Sequence, residues 1–378
     1  MDVSEIVNMC STPVYVYSKE QLHQNYKLIE KAFTYKYKQI HFAVMCNNNP
    51  DVLKVIKSLG GSVQINSLHE LEMVEKMGFN NEHISFTSIG LDNESIAKLI
   101  SKDVTVNLDS LEEVEKFCKV GRGKGFGIRV NINKDITLEQ GHTNSYKHTD
   151  VGIQEKDFCA VIRLAEQYGC MVNGVHGYLA SNLLVMMPFF DYADYLLKCA
   201  KQFPDIEYIN FGSGFGVFCE SKEKQFDFIQ LGKYYSDITQ KLSAYFNRTI
   251  RLKIEPGRSI VASAGVLLAK VTNVKQLDDK KQLAINVGFG GFARPKLYDA
   301  CHLIEVIGKK GDGELYDVRA ATVLQTDFIG RDRRLPEIKE SDIIVIRNAG
   351  AYGMVMASGF PGCRKPGEIM ISSFADIL

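Results

Sequence analysis

The 378-residue sequence has no CxxC pair among its nine cysteines, no apolar run near the length of a membrane span and no net charge. Each absence excludes a class of protein. A transmembrane helix needs roughly 18 or more consecutive apolar residues, so no membrane protein is expected. The balance of 45 basic against 45 acidic residues removes the electrostatic pull that draws basic chains to nucleic acid or anionic lipid. The opening MDVSEIVNMC lacks the charged-then-apolar layout of a signal peptide. The cysteines, at positions 10, 46, 118, 159, 170, 199, 219, 301 and 363, are odd in number and scattered. That argues against a disulfide framework or zinc site and for reduced thiols in a cytoplasmic protein. Nor does a low-complexity linker divide the chain.

What is present is an alternation. From residue 40 to about 258, eight strand-like runs alternate with helical ones: HFAVMC, GSVQI, HISFTS, VTVNL, FGIRVNI, NGVHGYL, IEYINFG and RLKIEPG. In SLHELEMVEKMG, Ser67 and Glu70 fit a capping box, and Leu71, Val74 and Met77 recur at helical spacing. Ser18 opens an amphipathic helix through Leu22, Tyr26, Ile29 and Phe33, and FDFIQLGKYYSDITQKLSAYF is the longest helical run. Eight such units are the signature of a (β/α)8 TIM barrel, with a doubly wound open sheet as the alternative. After Arg258 long helical periods give way to strands and turns: IVASAGVLLAKVTNVKQL, QLAINVGFG, LYDVRAATVLQTD, DIIVIRNAG and GEIMISS. This predicts a C-terminal β-rich domain, which the early strand in TPVYVYSKEQL can join. The expected division is a barrel over 27–260 and a β-domain of 1–26 plus 261–378.

Chemistry on such a barrel sits at the carboxyl ends of the strands, often with phosphate bound after the seventh and eighth. The seventh strand ends in GSGFG, Gly212 to Gly216, where small residues let backbone N–H groups approach an anion; a simple turn is the plainer reading. The eighth ends in EPGR, placing Glu255 near Arg258. This is either an ion pair or an acid facing a cationic ring beside an arginine facing phosphate. Arg129 on the fifth strand, Tyr178 and Ser181 after the sixth and Tyr352 in NAGAYG would join them on one face.

Several segments, in order, resemble a known family. TPVYVYSKEQL, NPDVLKVIKSLG, VTVNLDSLEEVEKF, EPGRSIVASAG, RPKLYDACH, GRDRRLPEIKESD and NAGAYG are similar to segments of the fold type III (alanine-racemase-fold) decarboxylases that use pyridoxal 5'-phosphate (PLP), the ornithine and diaminopimelate decarboxylase family. The resemblance implies PLP as cofactor. It implies a phosphate cup of Ser181, Ser213, Gly214, Gly257, Arg258 and Tyr352, with Glu255 on the pyridinium nitrogen and Arg129 nearby. It also implies a small amino-acid-like substrate and a homodimer with shared active sites. The partner would lend a loop matching ATVLQTDF, whose Asp327 matches a substrate-binding aspartate. GRDRRLP is similar to the subset found in specialised biosynthetic pathways, where a substrate can be carrier-tethered.

The same resemblance exposes departures. The family's lysine that attaches PLP as a Schiff base falls on Met45, in FAVMCN, and its catalytic cysteine on Val323. The ring-stacking histidine falls on Tyr178, which can still stack; an acid after the second strand is Gln64, the lysine of a Lys-Phe-Gly motif is Asp150, and a glycine of the phosphate loop is Ser213. Lys54 and Lys57 are expected on a solvated helix face, and Cys46 in buried packing. Three functions follow from these residues. One is a decarboxylase-like lyase working without the lysine. Another is an inactive homologue acting as a partner or ligand-binding protein. The third is a different reaction on the same scaffold.

Overall fold

The computed structural model describes residues 3–132, 150–219, 226–311 and 313–375. It opens with helix α1 (Val3–Cys10), strand β1 (Val14–Ser18) and helix α2 (Lys19–Ala32). Ser18 caps α2 through its hydroxyl, which accepts from the Gln21 N–H, and Leu22, Tyr26 and Ile29 form its buried stripe. This helix runs through residues 26 and 27 without a break.

Eight parallel strands then close a barrel: β2 (Lys38–Ala43), β3 (Ser62–Ile65), β4 (Ile84–Thr87), β5 (Thr105–Leu108), β6 (Gly125–Arg129), β7 (Met171–His176), β8 (Tyr208–Asn210) and β9 (Arg251–Ile254). Pairing of β9 with β2 completes the ring. All eight expected strands are present and the open-sheet alternative is excluded. The capping expected at Ser67 is slightly shifted: its hydroxyl accepts from Glu70 N–H, but the Glu70 carboxylate reaches back to Asn66 N–H.

Strand β2 is shorter than its run of apolar residues implies. It ends at Ala43, and Val44–Cys46 form a 3-10 turn. The backbone is drawn off the barrel there because the Asn47 side chain donates to the Gly350 carbonyl and Tyr352 N–H takes the Cys46 carbonyl. Met45 is therefore a turn residue, 48% exposed, while Cys46 is buried. Lys54 is exposed and paired with Asp51 on the helix Pro50–Ser58.

The remaining strands are β10 (Gly265–Gln276), β11 (Lys281–Ile285), β12 (Ile304–Val306), β13 (Glu314–Ala320), β14 (Phe328–Leu335), β15 (Ile343–Ile346) and β16 (Gly367–Ile371). They form one sheet in the order β12-β15-β10-β11-β13-β14, and β1 joins it, antiparallel to β10 and parallel to β16. Two expectations need correction. The run IVAS is not strand, since Arg258–Val261 form a helical turn before β10. FIGRDRRL is a strand despite its charge, because it pairs antiparallel with β13 at the sheet edge. A further correction concerns the thiols: Cys219 and Cys301 are joined in a disulfide, while Cys10, Cys46, Cys118, Cys159, Cys170, Cys199 and Cys363 are free. A separation of 82 residues hides that pairing from any reading of local spacing.

The centre of the barrel is packed by one ring. Tyr208 fills it because Gly127 and Gly174 leave room: a Cβ at Gly174 would lie 1.9 Å from the ring. The Tyr208 hydroxyl donates to Asn107 Oδ1 at 2.7 Å, and the Lys253 ammonium sits 4.1 Å from the ring centroid. Burial pushes the Lys253 amine down to about 7, with Arg251 adding to the effect. Truncating a buried aromatic ring costs about 3–5 kcal/mol. Tyr208→Ala is expected to lose that much unfolding free energy in urea denaturation; a loss under about 1 kcal/mol would show that this ring does not set the barrel's packing.

Candidate active site

At the carboxyl ends of the barrel strands lies a cavity of about 630 Å³. Met45, Arg129, Tyr178, Ser181, Ser213, Gly214, Glu255, Gly257, Arg258 and Tyr352 all line it. The residues singled out on separate strands thus meet in one place. Gln64 lines it as well, whereas Asp150 is exposed and does not. No lysine among the described residues lines the cavity.

Glu255 is the most constrained group there. It follows β9 and is buried; its Oε2 is 3.0 Å from His176 Nε2 and its Oε1 accepts from Asn210 Nδ2 at 2.7 Å. The three come from neighbouring strands in register, with His176 opposite Asn210 and Asn210 opposite Lys253. Side chains two apart share a strand face, so Gly174, Tyr208 and Lys253 face the barrel interior two residues before His176, Asn210 and Glu255 on the same strands. Burial alone would push the Glu255 carboxyl up; His176, His41 and Asn210 outweigh it and hold the group below the ordinary carboxylate range. The cavity therefore presents a fixed anion on its floor.

Around that anion stand three guanidinium groups. Arg258 Nη2 donates to Ser181 Oγ at 3.3 Å, and its guanidinium lies 5.1 Å from the Tyr352 ring centroid. Gly214 takes φ of +107° and passes so close to Ala180 that a Cβ there would lie 1.9 Å from the Ala180 carbonyl oxygen. At Gly257 a Cβ would lie 3.0 Å from Cys46, a close contact but a milder one. Glycine is thus a steric requirement at Gly214. Arg129 Nη1 is 3.9 Å from Asp109 Oδ1, and burial pushes the Asp109 carboxyl up to about 6 against the pull of Arg129. Arg294 is buried on the wall and donates to His302 Nε2 at 3.3 Å. Burial, then the Arg258 charge, lowers Arg294 to about 10, and burial lowers His302 to about 4, so that ring is a neutral acceptor.

Two expected residues lie elsewhere. Val323 is 90% exposed on the loop between β13 and β14, and Asp327 is 2% exposed. The Asp327 carboxylate turns inward, accepting from Phe289 N–H at 2.9 Å and from the Thr322 hydroxyl. Residue-level reading of the sequence missed His176, Asn210 and Arg294. The first two were visible only as polar residues ending apolar strands (NGVH, YIN), and the third lies in RPKLYDACH, quoted only for its resemblance.

The fold and this cavity define the class. The family described as pyridoxal-dependent decarboxylase, pyridoxal binding domain, matches residues 19–262, and the chain belongs to it. The diaminopimelate decarboxylase of Methanothermobacter thermautotrophicus is 27% identical over 387 residues, spanning 98% of this chain and 89% of that protein. That of Neisseria meningitidis is 29% identical over 371 residues, spanning 95% and 89%. The structure is similar to Helicobacter pylori diaminopimelate decarboxylase complexed with L-lysine, with TM-score 0.89 and 25% identity over 97% of this chain and 93% of that one. A lysine/ornithine decarboxylase from Vibrio vulnificus shares the fold, with TM-score 0.84 at 17% identity over 98% of each chain.

The geometry at Glu255 sets a pH signature. A carboxyl held below its unfolded value contributes stability that is complete above that value and lost as pH falls through the folded one. The stability difference between the wild type and Glu255→Gln, measured by urea unfolding, is expected to be constant from about pH 7 to about pH 5 and to shrink below. A difference that grew on acidification would reverse the assignment of Glu255 as a native-state anion.

Proposed function

We infer that this chain is an amino-acid decarboxylase-type lyase that holds PLP, or a PLP–amino-acid adduct, without a covalent lysine bond. The observation that carries this reading is the convergence of an anion cup and the buried Glu255 in one cavity that no lysine among the described residues lines. The donor set fits the cofactor. Arg258 and Ser181 are already hydrogen-bonded together, Gly214 leaves no room for a side chain, and Glu255 is held below the ordinary carboxylate range.

In this reading Ser181, Ser213, Arg258, Tyr352 and the backbone at Gly214 and Gly257 bind the phosphate. Glu255, fixed by His176 and Asn210, would hold a pyridine ring nitrogen in its protonated form. Tyr178 lines the cavity where it can pack on the ring face, and Arg129 completes the polar wall. When bound, PLP supplies the electron sink for carbon dioxide loss. Arg258 and Arg294 leave the wall cation-rich, which favours an amino acid carrying a carboxylate.

Met45 stands where the family's lysine is expected. A thioether has the length of the lysine stem but offers neither nucleophile nor proton. A well-placed amine contributes several kcal/mol through orientation alone, so turnover is slow, as suits a specialised biosynthetic step more than primary metabolism. The reading extends to a cytoplasmic homodimer of chains divided near residue 260. Its exposed loop at Val323, braced by Asp327, would meet the partner's cavity.

Carbon dioxide release from a panel of amino acids, with PLP supplied, tests the activity. Slow release is expected for at least one amino acid bearing a second carboxylate, with Met45→Lys faster by tenfold or more, about 1.4 kcal/mol in barrier. Release from neither protein, with PLP bound to both, would favour the inactive homologue instead.

A further inference from the structure

Cys219 and Cys301 are 82 positions apart in sequence and joined by a disulfide. Their places in the fold give that bond a role. Cys219 lies five residues beyond Gly214, on the segment that leaves β8 carrying Ser213 and Gly214 of the anion cup. Cys301 lines the same cavity, just after the short helix Arg294–Tyr298, whose two end residues also line it. One covalent bond thus fastens the barrel wall of the cavity to its β-domain wall. Beside it, Asn348 Nδ2 donates to the Phe218 carbonyl at 3.0 Å.

Exposure alone does not select this pair, because Cys159 and Cys363 are exposed and remain thiols. Cys301 also has a cationic neighbour: Nη1 and Nη2 of Arg333 each lie 3.8 Å from its sulfur. A guanidinium there stabilises a thiolate and makes Cys301 the better leaving group in thiol–disulfide exchange. The bond involves an exposed residue that lines the cavity, next to a group that eases its cleavage. A purely structural staple has no need of that placement.

We propose that the Cys219–Cys301 disulfide is a reversible latch on the ligand cavity, closed when oxidised and released by dithiol reductants. One thiolate of the reductant attacks the Cys219 sulfur, the S–S bond breaks, and Cys301 leaves as a thiolate beside Arg333 and then takes a proton. The reductant's second thiolate attacks the mixed disulfide, expels Cys219 as a thiolate that is protonated in turn, and closes the reductant into its own disulfide. Two electrons pass from reductant to protein. The ligand in question rests on the PLP reading above: with no lysine bond, retention depends on how firmly the two walls are held together.

The test uses the full chain in two states, one oxidised with glutathione disulfide, the other reduced with dithiothreitol and desalted before PLP is added. Non-reducing peptide mapping is expected to find the 219–301 cross-link only in the first. PLP dissociation into a trap is expected to be at least fivefold faster from the reduced protein. Amide hydrogen exchange at 213–219 and 299–302 is expected to rise on reduction. Cys219→Ser and Cys301→Ser should each match the reduced protein in either buffer, and Arg333→Gln should slow reduction. Absence of the cross-link, or equal dissociation and equal exchange in both states, overturns the latch. If PLP binds neither state, the cofactor reading falls and exchange alone decides: faster exchange on reduction upholds the latch, and unchanged exchange removes it.

Discussion

The structure turns on a carboxylate that is buried at the catalytic end of the barrel and still ionised. An unpaired buried charge costs several kcal/mol, so Glu255 can exist there only with His176 and Asn210 held against it. Those partners arrive from β7 and β8, and they meet only because the parallel register sets His176 opposite Asn210 and Asn210 opposite Lys253. The same three strands, one layer down, present Gly174, Tyr208 and Lys253, the packing that keeps the register. Site and core are therefore one construction. A change that loosens the Tyr208 layer loosens the floor of the cavity as well.

Charge then decides what the cavity can take. Three arginines face one fixed anion, and among the described residues no lysine joins them. A ligand bearing a phosphate and a carboxylate would balance the wall, and a protonated ring nitrogen would balance Glu255. Membership of the pyridoxal-dependent decarboxylase family agrees with that arithmetic. Met45 lines the cavity from an exposed turn pinned by Asn47 and Tyr352. In the reading proposed above that position carries no covalent anchor, so holding a ligand would fall to the cup and to the contacts around the cavity.

Much of this was legible in the sequence, for identifiable reasons. Parallel barrel strands are buried on both faces and read as short apolar runs, so all eight stood out. The GSGFG and EPGR segments each had a plainer reading, a turn and an ion pair, and only their meeting in one cavity singles them out. Long-range pairing was not legible. His176 and Asn210 become meaningful only once register places them on Glu255, and the disulfide only once the β-domain folds over the barrel mouth. The strand Phe328–Leu335 was masked by its three arginines and aspartate, which an edge strand tolerates and a central one would not. The run through Met45 looked like strand because its apolar texture continues past the point where Asn47 turns the backbone away.

The central claim is that this cavity binds PLP non-covalently, and one measurement addresses it directly: titration of the purified protein with PLP by absorbance, followed by borohydride reduction and peptide mass mapping. Saturable binding with no lysine-containing peptide modified is the predicted result. A single modified lysine would show that another residue has taken over the anchor, and absence of saturable binding would contradict the account.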